Sequence, residues 1–260
     1  MPLMYRPLAL CWLLFPATFA LLAPILVLLQ PLRPWIHRSY IIAHLNVVLV
    51  KHGYFWFTVV YLGHLTHYTN KNWRVPYDKV GRVLLVYLVN TMFCILATIW
   101  CFGPLIFERI DVAAGGHCER ISGAMVNFRR GRCEMETDTV WIKGFDISGH
   151  FYLLVSVSLL VLQLLISDGS LGVWTQRLDV DLEQGEEAAG VPNGENTEAP
   201  AIIAKADWWL LHVAVTLVGC WYAEFVITCL FFHTMLEKLC GLVAAMVVPF
   251  VTLRYTTATD

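Results

Sequence analysis

The chain has 260 residues, of which 58% are hydrophobic and 15% charged, and its mean hydropathy is +0.61. Soluble domains carry about 25% charged residues, so the composition excludes an ordinary soluble globular protein. A formal net charge of −2 offers no basic surface to a nucleic-acid partner.

The apolar residues are gathered into long uncharged runs, and about 20 such residues in a helix cross a bilayer. No run alternates with the period of two that barrel strands require. The expected fold is therefore an all-α integral membrane protein, a six-transmembrane-helix bundle forming one domain over 1–260. The spans are expected near 8–30, 53–70, 83–107, 148–167, 208–233 and 239–255. The first run is too long for a cleaved signal core and has only Arg6 ahead of it. It reads as a retained helix kinked by Pro16 and Pro24.

Lys71, Arg74, Lys79 and Arg82 lie in the short connection 71–82 and favour the cytosol for it. Both termini then also face the cytosol. So does the acidic connection 168–206, whose stretch 179–200 is too polar to pack and is expected to be disordered. The connections 33–52 and 108–146 and a short turn at 237–238 face the lumen. That side would hold ten Lys and Arg against eight on the cytosolic side, so charge alone does not orient the chain. Cys118 and Cys133 both fall in the luminal loop 108–146. A disulfide between them is left open and requires an oxidising compartment. Cys11, Cys94, Cys101, Cys220 and Cys229 sit inside apolar spans as packed thiols.

Gly144-Phe145-Asp146-Ile147-Ser148-Gly149-His150 stands where a polar loop meets an apolar run. Asp146 or Ser148 can cap the helix that follows, and the free N–H groups of its first turn favour an anion. Asp146, Ser148 and Gly149 are thus candidate substrate contacts. His233 ends the fifth span, with Glu237 four residues on. On a continuous helix the two share a face, and Glu237 could then fix the His233 tautomer, as a carboxylate does behind a histidine nucleophile. The connectivity brings His150 and His233 to one membrane face. Taken singly, each has a simpler reading: a capped helix with its histidine among the headgroups, and an interfacial turn.

Lys51 and Lys238 border apolar spans and are the better candidates to hold phosphate. Most of the Arg129, Arg130 and Arg132 cluster reads as solvated loop charge. Glu224 lies nine residues before His233, roughly 13 Å deeper at 1.5 Å per residue. Burying it costs about 2.5–3.5 kcal/mol, so it should face the bundle interior, toward substrate or an internal partner. His64 and His67 do not complete a metal set. No residue pattern calls for a metal or another cofactor.

The string Trp141 to His150 resembles the signature of the fat storage-inducing transmembrane family. Phe232-His233-Thr234 with Glu237, Lys238 and Gly241 resembles its second signature. Arg82 followed by Trp100-Cys101-Phe102-Gly103-Pro104 and Glu108-Arg109 resembles the third span and its exit. Val50-Lys51 with Trp56 and Thr58 is a weaker likeness. The resemblance implies a multi-pass endoplasmic-reticulum protein related to lipid phosphate phosphatases, with its site facing the lumen. It implies hydrolysis of fatty acyl-CoA to acyl 4′-phosphopantetheine and adenosine 3′,5′-bisphosphate, in support of lipid-droplet formation. It implies His233 as nucleophile and His150 as general acid. Two phosphatase features are missing: Ile227 and Thr228 stand where a Ser-Arg pair is expected, and no Lys…Arg-Pro motif is present. The rival expectation is a non-enzymatic protein that binds diacylglycerol or triacylglycerol within the membrane. A membrane phosphotransferase is a third class. Glu237 was expected to separate enzyme from scaffold, since a scaffold needs no tautomer-fixing carboxylate.

Overall fold

A computed structural model describes residues 5–22, 24–25, 29–71, 77–99, 106–142, 144–167 and 205–257. The chain is mostly helical: α1 (Tyr5–Leu22), α2 (Arg33–Arg38), α3 (Tyr40–Leu45), α4 (Gly53–Lys71), α5 (Tyr77–Cys94), α6 (Ile106–Ala113), α7 (Arg130–Met135), α8 (Gly149–Ser167), α9 (Lys205–Phe231) and α10 (Met235–Thr257). Wide π-type turns follow α3 (Asn46–Lys51) and α5 (Ile95–Ile99). Most of the acidic connection 168–206 and the string Trp100 to Pro104 lie outside the described residues.

Six spans were expected. Among the described residues, four helical stretches are long and apolar enough to cross a membrane: Val80–Ala97, Gly149–Ser167, Trp209–Phe231 and Met235–Thr252. A fifth is obtained if Tyr40–Lys51 and Gly53–His67, bent by 47° at the break between them, count as one span. That bend falls where the π-type turn meets Gly53, a usual place for a helix to kink. The apolar part of α1, Ala9–Leu22, is shorter than the expected 8–30. It carries Pro16, and Pro24 stands two residues after its end. Of the expected span 83–107, residues 100–105 lie outside the described residues, and 106–107 belong to α6.

Helix α8 is the axis of the bundle. Of its membrane-crossing stretch 78% is buried, against 28%, 39% and 44% for the other three. It is apolar all round, as a helix covered on every side must be. Phe151, Leu154, Val155 and Val157 are fully buried. Phe151 packs on Phe225 of α9 and Phe19 of α1, and Tyr152 packs on Phe93 of α5 and Phe107 of α6. Helix α10 approaches α8 closely at Gly241, where an added Cβ would stand 2.7 Å from the Ser148 carbonyl oxygen and 3.0 Å from the Phe151 Cβ. Gly241→Val should push α10 off α8 and cost about 1–3 kcal/mol, read as a lower thermal midpoint in detergent.

The expected loop 108–146 is instead a small folded lobe. Strands β1 (His117–Arg120), β2 (Met125–Val126) and β3 (Thr139–Ile142) form an antiparallel sheet in the order β2-β1-β3. Cys118 of β1 pairs with Trp141 of β3 across the sheet, and a disulfide joins it to Cys133 of α7. The Thr139 hydroxyl donates to the Cys133 carbonyl at 2.7 Å, so α7 is tied to both β1 and β3. The fully buried Asp111 carboxylate accepts from the Gly144 N–H at 2.6 Å and Trp141 Nε1 at 2.9 Å. These bonds dock the Gly144–His150 string against the lobe and satisfy a charge that would be costly to bury alone. Gly144 has no room for a side chain, because a Cβ there would overlap the Asp111 backbone.

Candidate active site

The two histidines meet at one end of the bundle. Their ring centroids are 6.1 Å apart, and both line a cavity of about 550 Å³ between the bundle and the lobe. The bundle contributes Ala97, Gly149 and Phe232, and the lobe contributes Phe107, Glu108, Arg130 and Glu134. Asp146 and Ile147 close the remaining wall. The His150 ring stacks on the Phe232 ring at 6.5 Å.

His150 occupies the second position of α8. Ser148 is the cap: its Oγ accepts the Phe151 N–H at 3.3 Å. It is buried outside the cavity lining, so its place is structural rather than the expected substrate contact. The Asp146 carboxylate takes the Arg130 guanidinium, at 2.9 Å from Nη1 and 3.4 Å from Nη2. His150 Nε2 lies 2.8 Å from the Asn46 Oδ1, which accepts when Nε2 carries the proton. Asn46 was missed in the sequence because only the bend between α3 and α4 brings it there.

His233 lies in a break rather than on a continuous helix. Helix α9 ends at Phe231 and α10 begins at Met235. His233 has φ 54°, a left-handed conformation uncommon outside glycine. Strain of this kind gathers at functional sites. The expected hydrogen bond to Glu237 is not closed: Nδ1 stands 3.7 Å from Glu237 Oε2. Glu237 Oε2 accepts the Thr234 N–H at 2.7 Å instead, and the Glu237 N–H is 3.5 Å from Thr234 Oγ1. This is a capping box, legible in the sequence as Thr-x-x-Glu. Glu237 Oε1 also accepts the Asp146 N–H at 3.1 Å, and its carbonyl takes the Ser148 N–H at 3.4 Å. One residue thus ties the strand before His150 to the turn after His233.

The other candidates separate. Lys51 is exposed at the end of the π-type turn, within electrostatic reach of His150 but outside the cavity lining. Lys238 is fully buried, and its Nζ donates to the Cys229 carbonyl at 2.6 Å. Its ammonium closes the C-terminal end of α9 rather than reaching into the cavity, which corrects its expected role as a phosphate contact. Glu224 is buried inside the bundle, as its cost in lipid demands, and does not line the cavity. Arg130 was read among solvated charges and is instead in the wall. Burial works against its charge, but the hydrogen bonds to Asp146 and Glu134 outweigh this and raise its pKa above the ordinary value. Among the described residues no group of three or more His, Cys, Asp or Glu is placed to hold a metal ion.

The family model described as "Fat storage-inducing transmembrane protein" matches residues 39–253, a stretch that includes both histidines and the lobe. The chain belongs to this family. Within it, the acyl-coenzyme A diphosphatase fit1 of Schizosaccharomyces pombe is 24% identical over 200 residues, covering 76% of this chain and 64% of the relative. The acyl-coenzyme A diphosphatase FITM2 of Caenorhabditis elegans is 26% identical over 212 residues, covering 81% of this chain and 66% of the relative. The chain spans just under two thirds of the length of each. No solved structure matches it.

Proposed function

We propose that this fat storage-inducing transmembrane protein is a fatty acyl-CoA diphosphatase. It hydrolyses the phosphoric anhydride to give acyl 4′-phosphopantetheine and adenosine 3′,5′-bisphosphate. The observation that carries the reading is the pair of imidazoles 6.1 Å apart in one cavity. Both relatives, fit1 and FITM2, are acyl-coenzyme A diphosphatases, which agrees with it.

His233 is the nucleophile. Its Nδ1 side faces Glu237, which leaves Nε2 to attack one phosphorus. A contact of 3.7 Å is compatible with this, since catalytic hydrogen bonds are often long before substrate binds. The P–O bond to the bridging oxygen breaks as the N–P bond forms. His150 gives its proton to that oxygen, which leaves with the other phosphate. Water then attacks the phosphohistidine, His150 takes a proton from it, and His233 is restored. Asn46 accepts the Nε2–H of His150, so the proton that moves is a second one on Nδ1: His150 enters the first step as the imidazolium, the form a bound diphosphate favours, and regains that proton from the attacking water. The acyl chain runs into the bilayer beside the bundle.

The site faces the lumen of the endoplasmic reticulum in this reading. The Cys118–Cys133 disulfide inside the lobe beside the cavity supports it, since such bonds persist in oxidising compartments. With α1 crossing and the bent pair counted as one span, six crossings leave both termini in the cytosol. The enzyme would then supply the membrane's lipid balance and lipid-droplet formation.

The capping box favours a second reading, because it gives Glu237 a structural task that a lipid-binding protein also needs. Glu237 therefore does not separate the two classes as expected. The separating experiment compares wild-type chain with His233→Ala in two assays, release of adenosine 3′,5′-bisphosphate from oleoyl-CoA and binding of labelled triacylglycerol. The diphosphatase reading expects release only from the wild type. Triacylglycerol binding by both, with release from neither, would leave the lipid-binding account.

A further inference from the structure

The phosphatase motifs that would hold phosphate are missing from this chain, and the two lysines expected to replace them do not line the cavity. We infer that Arg130 is the diphosphate-binding residue, presented to the histidines by the disulfide-tied lobe. This inference rests on the proposed diphosphatase activity for its substrate class, and on the cavity for its geometry.

Among the described residues lining the cavity, Arg130 is the one with a permanent positive charge. Three carboxylates share that lining, and Arg130 holds each of them. Its N–H donates to Glu108 Oε1 at 3.0 Å, its Nε to Glu134 Oε1 at 2.9 Å, and its terminal nitrogens to Asp146. Arg130 is the one fixed cation against these three carboxylates, and it gives an anionic substrate its point of attraction on that wall.

The guanidinium also has capacity left. It carries five N–H donors, and the hydrogen bonds to Glu134 and Asp146 use three. One N–H remains on each terminal nitrogen; Nη1 also stands 3.7 Å from Asp111 Oδ2. Asp146 occupies the end-on pair, so the two that remain diverge and each can donate singly to a phosphate oxygen. Lysine at this place would supply charge without holding Asp146 through a fork.

The lobe sets where the fork stands. Arg130 begins α7, and Cys133 one turn on is bonded to Cys118 of β1. The Asp146 that receives the fork gives its own N–H to Glu237. Arg130 is therefore registered against both histidine-bearing segments before substrate arrives, which is what spares reorganisation in a preorganised site.

A residue that only stapled Asp146 would leave anion affinity unchanged when replaced. The test uses the full chain in detergent, with inorganic pyrophosphate as the probe, and reads its direct binding and its inhibition of oleoyl-CoA turnover. Arg130→Gln should weaken pyrophosphate binding and raise KM by about ten- to a hundredfold, with a smaller change in kcat. Arg130→Lys should recover part of the binding, and Arg129→Gln, at an exposed neighbour, should match the wild type. Unchanged pyrophosphate binding in a folded Arg130→Gln protein overturns the inference, whether or not oleoyl-CoA is turned over. Pyrophosphate binding that depends on Arg130, in a wild type that leaves oleoyl-CoA intact, upholds it and overturns the diphosphatase reading.

Discussion

His233→Ala is expected to lower kcat for oleoyl-CoA by about 10⁴-fold or more, and His150→Ala by about 10²–10⁴-fold. The asymmetry follows from the roles. Without His233 there is no atom to receive the phosphoryl group, whereas without His150 the leaving phosphate departs unassisted and water can still supply a proton slowly. Neither change should unfold the protein, because both rings lie at the cavity and not in the packed interior of α8. His233→Ala also removes the side chain from a left-handed backbone position (φ 54°), where alanine fits less well than histidine, so some loss of stability accompanies it. His233→Gly separates the two effects: it relaxes the backbone and should be as inactive as His233→Ala. Steady-state rates and thermal midpoints of the three purified variants check this. Turnover within tenfold of wild type in any of them would remove that residue from the mechanism.

Glu237→Ala is expected to have the second largest effect, because it acts on both histidines at once. It deletes the acceptor of the Thr234 N–H that starts α10 and of the Asp146 N–H ahead of His150. Loss of the cap alone costs about 1 kcal/mol. The Asp146 N–H would be left buried without an acceptor, at a further cost of about 1–3 kcal/mol. With its tether gone, the Asp146 strand drifts, and the 6.1 Å spacing of the rings is no longer held. A misplacement of about 1 Å can lower kcat by about a hundredfold. Glu237→Gln isolates the charge, since glutamine also completes a capping box. It should fold like the wild type and lose activity only to the extent that the carboxylate facing His233 Nδ1 stabilises the attacking imidazole. Equal loss in both variants assigns Glu237 to catalysis through charge; loss confined to Glu237→Ala assigns it to positioning. The measurement is kcat against thermal midpoint for the pair.

The sequence made the membrane character and the histidine strings legible, because both are local. Apolar runs, a Ser-Gly-His at a helix start and a histidine before a Glu-Lys pair need no tertiary information. The residues that complete the cavity wall were not legible. Asn46 reaches His150 only through the 47° bend between α3 and α4. Arg130 sits in a basic run that looks like solvated charge until α7 is folded against β1 and β3. Asp111 is a lone acid whose partners, Trp141 and Gly144, are about thirty residues away. Glu237 was placed correctly beside His233 but for the wrong local reason, since a four-residue spacing was taken for a continuous helix. The Thr-x-x-Glu pattern at Thr234 already signalled a fresh helix start. The span boundaries were less legible than the spans: hydropathy runs straight through the π-type turn and the 47° bend between α3 and α4.

Anhydride cleavage by two histidines sharing one diphosphate can be read from the products that the purified chain makes from oleoyl-CoA in ¹⁸O-water. Mass spectrometry should find acyl 4′-phosphopantetheine and adenosine 3′,5′-bisphosphate in equal amounts, with the heavy oxygen confined to the phosphate of one of them. Free CoA with oleic acid, or intact oleoyl-CoA after prolonged incubation of folded protein, would contradict it.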